Sequence, residues 1–363
     1  MTKGFIPAAR PIIGEAERAA VDAVLLSGML AQGSEVATFE QEFSRVLLDG
    51  RAAVAVNSGT AGLHLGLLAA GVGPGDEVIV PSFTFAATAN AVALAGATPV
   101  FADIEPEHYC LDPRDVAGRL TERTRGIMPV HLYGHPADMV AFERLAERHG
   151  LALYEDAAQA HGASLAGRRV GTFGAVAVFS LYPTKNMTSG EGGMVATAKP
   201  EWERTVRLLR NQGMLRQYEN EIVGFNARMT DVHAAIGRAQ LARIGEWTAA
   251  RRANAQFFDE NLDGVDRPAV ADGAVHVYHQ YTVRIPENRD GFAAALRDEY
   301  RIGSGAYYPT PTHRLPAFAR TDDLPNTEQA ARTVLSLPVH PSLDDEDRER
   351  IVAAVNTLAK AGA

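Results

Sequence analysis

The sequence predicts an α/β protein, a mostly parallel sheet covered by helices in a large domain, followed by a smaller α+β C-terminal domain. Three observations carry this. Between residues 50 and 200, short β-rich runs alternate with helical patterns. The stretch 78–102 has no charged residue, as befits strands buried on both faces. Past about residue 245 the pattern changes to mixed helices and strands.

The elements follow in order. Residues 52–56 are a β-rich run and 62–70 carry helix formers. A strand over 78–80, a helix over 88–95 and a strand over 99–102 come next. Residues 126–132 read as a buried strand. Residues 137–149 form an amphipathic helix, with Met139, Phe142, Leu145 and Ala146 near one face. A strand over 151–154 ends on Glu155 and Asp156, and 175–181 is a further strand. Residues 230–261 read as continuous helical material, and the domain boundary falls inside it, giving domains 1–245 and 246–363. In the second domain, 276–285 and 303–308 read as strands, and 290–300 and 327–335 as helices. Ser342-Leu343-Asp344-Asp345 reads as a capping box opening the last helix.

Composition excludes several classes. A chain of 363 residues suits two domains. Hydrophobic residues at 46% and charged residues at 22% are ordinary for a globular protein. The formal net charge of −9 gives no global attraction to nucleic acid or to anionic membranes, and no basic recognition helix is present. Any phosphate must be held locally. The single cysteine, Cys110, cannot form an internal disulfide, which suits the cytoplasm, and it reads as a packing residue. Residues 1–10 contain no apolar run, so no signal peptide is expected. The stretch 78–102 is long enough to span a bilayer, but Pro81, Asn90, Gly96 and Pro99 break it into strand, helix and strand. No metal site is expected.

Open α/β sheets bind ligands at the carboxyl ends of their strands, and three groups of residues fall there. Asn57-Ser58-Gly59-Thr60-Ala61-Gly62 follows a strand and opens a helix. Small residues let a phosphate approach backbone N–H groups, and the helix N-terminus adds positive potential. The same turn also reads as a plain N-cap. Next, a strand ends on Asp156, either as a cap or as the partner of a protonated pyridine nitrogen. Last, Lys185 follows a buried strand and is flanked by Pro183 and the turn Glu191-Gly192-Gly193. A lysine desolvated there has a lowered pKa and forms an imine with an aldehyde. Phosphate turn, strand-end Asp and later lysine, in that order, point to a pyridoxal-phosphate (PLP) enzyme of fold type I, aspartate aminotransferase-like.

The chain resembles the DegT/DnrJ/EryC1/StrS family of sugar aminotransferases. The resemblance rests on Asn57-Ser58-Gly59-Thr60, Pro81-Ser82-Phe83-Thr84-Phe85, Glu155-Asp156-Ala157-Ala158-Gln159, Tyr182-Pro183-Thr184-Lys185-Asn186 and Gly224-Phe225-Asn226-Ala227-Arg228-Met229. It implies that Lys185 carries PLP as a Schiff base and that Asp156 pairs with the pyridine nitrogen. It implies that Gln159 contacts the ring hydroxyl and that Phe85 stacks on the ring, with core packing the other reading of Phe85. Gly59, Thr60 and Ala61 match the phosphate loop, and Ser180 adds a hydroxyl. Asn226 matches a residue that reaches the phosphate of the neighbouring subunit, which implies a homodimer with shared active sites. Tyr308 and His313 match a segment near the sugar, and both are also open to a structural role. Arg228 is open to binding the donor carboxylate or the sugar diphosphate, or to an ion pair. Ala227 stands where an aromatic is common, which implies a roomier substrate mouth.

The implied reaction is a two-stage amino transfer. An amino acid, with glutamate the expected donor, gives its amine to the cofactor. The amine then passes to a ketone on a nucleotide-linked deoxysugar. The turn Ser189-Gly190-Glu191-Gly192-Gly193 leans toward C4 of the sugar. The alternatives are a keto-inositol substrate and a PLP-binding regulator without turnover.

Overall fold

The computed structural model describes residues 4–361; residues 1–3, part of the segment read for a targeting signal, lie outside the described residues. Seven strands build the main sheet: β1 (Ala52–Val56), β2 (Glu77–Pro81), β3 (Thr98–Ala102), β4 (Thr124–Ile127), β5 (Ala152–Asp156), β6 (Val176–Ser180) and β7 (Gly193–Thr197). Their order across the sheet is β1-β7-β6-β5-β4-β2-β3. β2 to β6 pair in parallel, and β7 runs antiparallel to both its neighbours, β1 and β6.

Strand residues point alternately to the two faces of a sheet. Val54, Val56, Val176, Val178 and Val195 enter one apolar cluster. Ala53, Ala55, Ala177, Phe179, Met194 and Ala196 enter a second cluster on the other face. Both faces are therefore covered, which explains the uncharged runs. The stretch 78–102 folds as the end of β2, the helix Ala87–Leu94 and β3. Among the described residues, no helix is long and apolar enough to cross a membrane. The helix Met139–His149 buries Met139, Phe142, Leu145 and Ala146, the face expected from its periodicity.

Several expectations need correction. β7 was not anticipated, because its first residue, Gly193, was read as part of a turn. The strand expected over 126–132 stops at Ile127. Pro129 has no N–H for the ladder, and only Val130 still bridges to Asp156. The long helical stretch is two helices, Asp231–Leu241 and Ile244–Asn261. The break lets Leu241 and Ile244 enter the same core cluster.

A smaller sheet pairs β8 (Tyr281–Arg284) antiparallel with β9 (Val334–Leu337). Its core unites Phe258, Tyr281, Val283, Leu296, Leu335 and Ile351. The strand expected over 276–285 is cut to β8, because Tyr278 adopts φ 44°. Residues 303–308 contribute only a single bridge, Gly305 to Ser336. The helix expected over 327–335 runs Pro325–Thr333, and Val334 already belongs to β9. The last helix opens at Asp345, and Asp344, not Ser342, caps it by accepting from the Asp347 N–H at 2.8 Å.

Candidate active site

The carboxyl ends of β1, β5 and β6 lie on one edge of the sheet, with the start of β7 between those of β1 and β6, and the candidate residues gather there. After β1, Ser58 caps the helix Gly59–Ala69, its Oγ accepting from the Ala61 N–H at 3.1 Å. The turn sits so close to its neighbours that side chains have no room. A Cβ on Gly59 would lie 3.0 Å from the Ser180 Cβ, and one on Gly193 would lie 2.6 Å from the Ser58 carbonyl oxygen. The Gly59 and Thr60 N–H groups fall in the first helical turn, where no intrahelical acceptor exists. That turn holds no acidic residue. With the Thr60 and Ser180 hydroxyls, the set suits an anion such as a phosphate.

β5 ends on two carboxylates that face different work. Glu155 is buried and accepts from the N–H groups of Gly171, Phe173 and Gly174 at 2.8, 2.9 and 2.6 Å. It fixes the loop leading into β6. Asp156 is also buried, but its Oδ2 accepts from the Thr88 hydroxyl at 2.8 Å and its Oδ1 from the Ala158 N–H at 3.1 Å. Burial raises its pKa, and Thr88, Ala158, Lys185 and His131 oppose that rise without cancelling it.

Lys185 comes five residues past the end of β6, its N–H donating to the Tyr182 carbonyl at 3.0 Å. The next residue, Asn186, anchors the loop by donating from Nδ2 to the Val277 carbonyl at 2.9 Å. The lysine is half-buried. Burial pulls its amine down to about 8, against the upward pull of the Asp156 charge. An amine so tuned loses its proton far more readily than a solvated lysine.

One cavity of about 350 Å³ brings together Gly59, Thr60, Phe85, Asp156, Gln159, Ser180, Lys185 and Tyr308. Gln159 bridges two walls. Its Oε1 accepts from the Tyr133 N–H at 2.7 Å and its Nε2 donates to the Tyr308 hydroxyl at 3.1 Å. Phe85 is 59% exposed, so it is no core residue. Its ring lies 6.0 Å from that of Tyr308.

Three of the residues expected in this cavity, Ala61, Arg228 and His313, do not line it. Ala61 donates its N–H to Ser58 and closes the turn instead. Asn226, expected to serve the neighbouring subunit's cavity and not its own, is exposed and bridges to Asn211. Arg228 donates to the Asn211 side chain at 2.9 Å. His313 is buried between Ser82, at 2.6 Å from its Nδ1, and Glu328, at 3.3 Å from its Nε2. Ala227 is part of the main core, so its small side chain serves packing there and does not widen the mouth. Conversely, the cavity includes Tyr133 and His279, which sequence reasoning missed, and Glu191. Nothing in the local sequence marks His279. Thr88 left a faint signal, four residues after Thr84 in the first turn of the helix that follows β2.

The family model of the DegT/DnrJ/EryC1/StrS aminotransferase family matches residues 11–356. The chain is 44% identical over 350 residues to the dTDP-3-amino-3,4,6-trideoxy-alpha-D-glucose transaminase of Streptomyces venezuelae, covering 94% of this chain and 92% of that one. It is 40% identical over 345 residues to a pleiotropic regulatory protein of Geobacillus stearothermophilus, covering 92% of each. The crystal structure of S. venezuelae DesV in complex with a ketimine intermediate matches with a TM-score of 0.90 at 44% identity, covering 95% of this chain and 94% of that one. The chain therefore belongs to the DegT/DnrJ/EryC1/StrS aminotransferase family and has the fold-type-I, aspartate aminotransferase-like architecture.

Proposed function

We propose that this aminotransferase uses PLP to move an amino group from an amino acid to a keto group of a nucleotide-linked sugar. The observation that carries the reading is one cavity holding the Lys185 amine, the Asp156 carboxylate and an anion-binding helix N-terminus. Those groups match an aldehyde, a pyridine nitrogen and a phosphate. When bound, PLP supplies the aldehyde that takes up the amine and a cationic ring that withdraws electrons from the amino acid Cα. Gly59, Thr60 and Ser180 hold the phosphate, with Ala61 shaping their turn. Asp156 holds the ring nitrogen, and Phe85 covers the ring. Gln159 keeps a second amide proton, beyond its bond to Tyr308, for the ring hydroxyl. Lys185 takes the proton from the donor Cα and returns it on the other side of the transfer.

A nucleotide-sugar acceptor is supported by the printed name of the S. venezuelae relative. Glutamate is the proposed donor. Amination at C4 rests on the turn Ser189-Gly190-Glu191-Gly192-Gly193. A second reading, C3, is favoured by the 3-amino product in that relative's name. The regulator reading finds support in the name of the G. stearothermophilus relative; a lysine with a lowered amine beside an anion site mounts PLP in either case, so turnover with an amino acid separates the two. We place the enzyme in the cytoplasm, consistent with its single cysteine, whose thiol burial pushes up to about 12.

In this reading the cofactor domain spans residues 1–245, and the smaller domain, from 246 onward, lends His279, Gln280, Tyr307 and Tyr308 to the cavity. The functional unit is a homodimer. Leu215, Tyr218, Val223 and Phe225 are exposed at 51, 85, 92 and 43%, in the same segment that leads to exposed Asn226. Such apolar exposure calls for a covering surface.

Adding glutamate to the PLP-loaded protein tests the class. An aminotransferase converts the PLP absorbance to that of pyridoxamine phosphate, and a regulator leaves it unchanged. A panel of nucleotide-linked 3-keto and 4-keto sugars and a keto-inositol then assigns the acceptor, the C4 reading requiring the 4-keto sugar to react fastest.

A further inference from the structure

We propose that Thr88 is a positioning residue that aims Asp156 and keeps it ionised, through a one-way hydrogen-bond chain that begins at Thr84. The inference rests on the reading that Asp156 meets the ring nitrogen of the cofactor.

Thr88 is fully buried. Its Oγ1 lies 2.8 Å from Asp156 Oδ2 and 3.0 Å from Thr84 Oγ1. A hydroxyl has one proton, and an ionised carboxylate only accepts. Thr88 must therefore donate to Asp156, and Thr84 must donate to Thr88. The charge at its end fixes the order; a proton on Asp156 Oδ2 would reverse it.

The Thr84 end of the chain is itself anchored. Its carbonyl accepts from the Thr312 hydroxyl at 2.9 Å, while the Thr312 N–H donates to the Ser82 carbonyl at 2.9 Å. His313 adds its bond to Ser82. Segments 82–84 and 312–313 are thus clamped together, which gives His313 a part outside the cavity. The clamp fixes the segment that carries Thr84, the donor to Thr88.

Asp156 is held from two sides, by Thr88 on Oδ2 and Ala158 on Oδ1. Two bonds from different elements fix the plane of the carboxylate. The groups whose charges act on it or feel it are the Lys185 amine, His131 and the Tyr308 phenol. Burial pushes its proton affinity up, and the Thr88 bond is the largest effect against that push. Without it, the proton between carboxylate and ring nitrogen moves toward the carboxylate, and the ring loses charge.

The test compares PLP-loaded wild type with Thr88→Val, Thr88→Ala and Thr88→Ser. The readouts are PLP affinity by fluorescence, the pH titration of the bound cofactor's visible absorbance, and the single-turnover rate with glutamate. Valine and alanine should move the absorbance titration by about one pH unit and slow the single turnover about tenfold. The glutamate KM should change less than about twofold, because no donor contact is lost. Serine restores the hydroxyl and should match wild type throughout. Alanine carries the same expectation should valine fail to fold. A wild-type titration and rate in the valine or alanine variant overturns the inference, and so does a serine variant as impaired as alanine. If wild type itself takes up no PLP, the cofactor reading falls and this inference with it. PLP uptake by wild type with an unaltered Thr88→Ala overturns the inference alone.

Discussion

Asp156 ends one strand of the main sheet and Lys185 follows the end of its neighbour, and each shifts the other's proton across a shared cavity. Burial pulls the amine down to about 8 against the Asp156 charge, and pushes the carboxyl up against the Thr88 and Ala158 bonds first and the Lys185 charge after them.

The first prediction concerns pH. In cofactor-free protein, the rate of PLP capture should rise with pH and level off above an inflection near 8, because only the neutral amine attacks the aldehyde. The sign for stability follows from the same shift. The folded-state value lies below the ordinary 10.5, so the unfolded chain binds more protons between 8 and 10.5. The stability of wild type relative to Lys185→Met should therefore rise across that window. Stopped-flow capture and denaturant melts measure the two effects. A capture rate still climbing through pH 10 would mean an ordinary, solvated lysine.

Asp156→Asn tests the carboxylate. The amide keeps the shape and can still bond Thr88, so the fold and PLP binding should persist. The single-turnover rate should fall by about a hundredfold or more, because the ring nitrogen no longer holds its proton. An unchanged rate would reduce Asp156 to a strand-end cap.

How far these features were legible depends on where their causes lie. Strands buried on both faces announce themselves as uncharged runs, and β1, β2, β3, β5 and β6 were visible for that reason. β7 was hidden because Gly193, required since a Cβ there would lie 2.6 Å from the Ser58 carbonyl oxygen, disguises the strand start as a turn. The break between Leu241 and Ile244 has no Gly or Pro to mark it, since it is imposed by packing. In the cavity, residues at strand ends were legible: Gly59, Asp156, Ser180 and Lys185. Tyr133 and His279 come from loops whose placement depends on distant contacts, such as the Gln280 N–H donating to the Tyr133 carbonyl at 3.1 Å. His313 failed in the opposite way, because sequence proximity to Tyr308 does not fix which side of the loop it faces.

The shared-site proposal has a complementation test. Lys185→Ala removes the imine partner, and Asn226→Asp sets a carboxylate against the phosphate of the neighbouring subunit. Each homodimer should be inactive. After subunit exchange, a mixed dimer collects both lesions in one site and leaves the other intact, so activity should return to about a quarter of wild type for statistical mixing. A mixture that stays inactive despite demonstrated exchange, or a wild type that is active as a monomer in sedimentation, contradicts shared sites.

The most direct measurement is borohydride reduction of the PLP-loaded protein followed by peptide mass mapping. One stable pyridoxyl adduct is expected, on the peptide containing Lys185, and none in Lys185→Ala, whose turnover should be lower by about a thousandfold. A wild-type adduct on another lysine, or full turnover in Lys185→Ala, would contradict the role of Lys185.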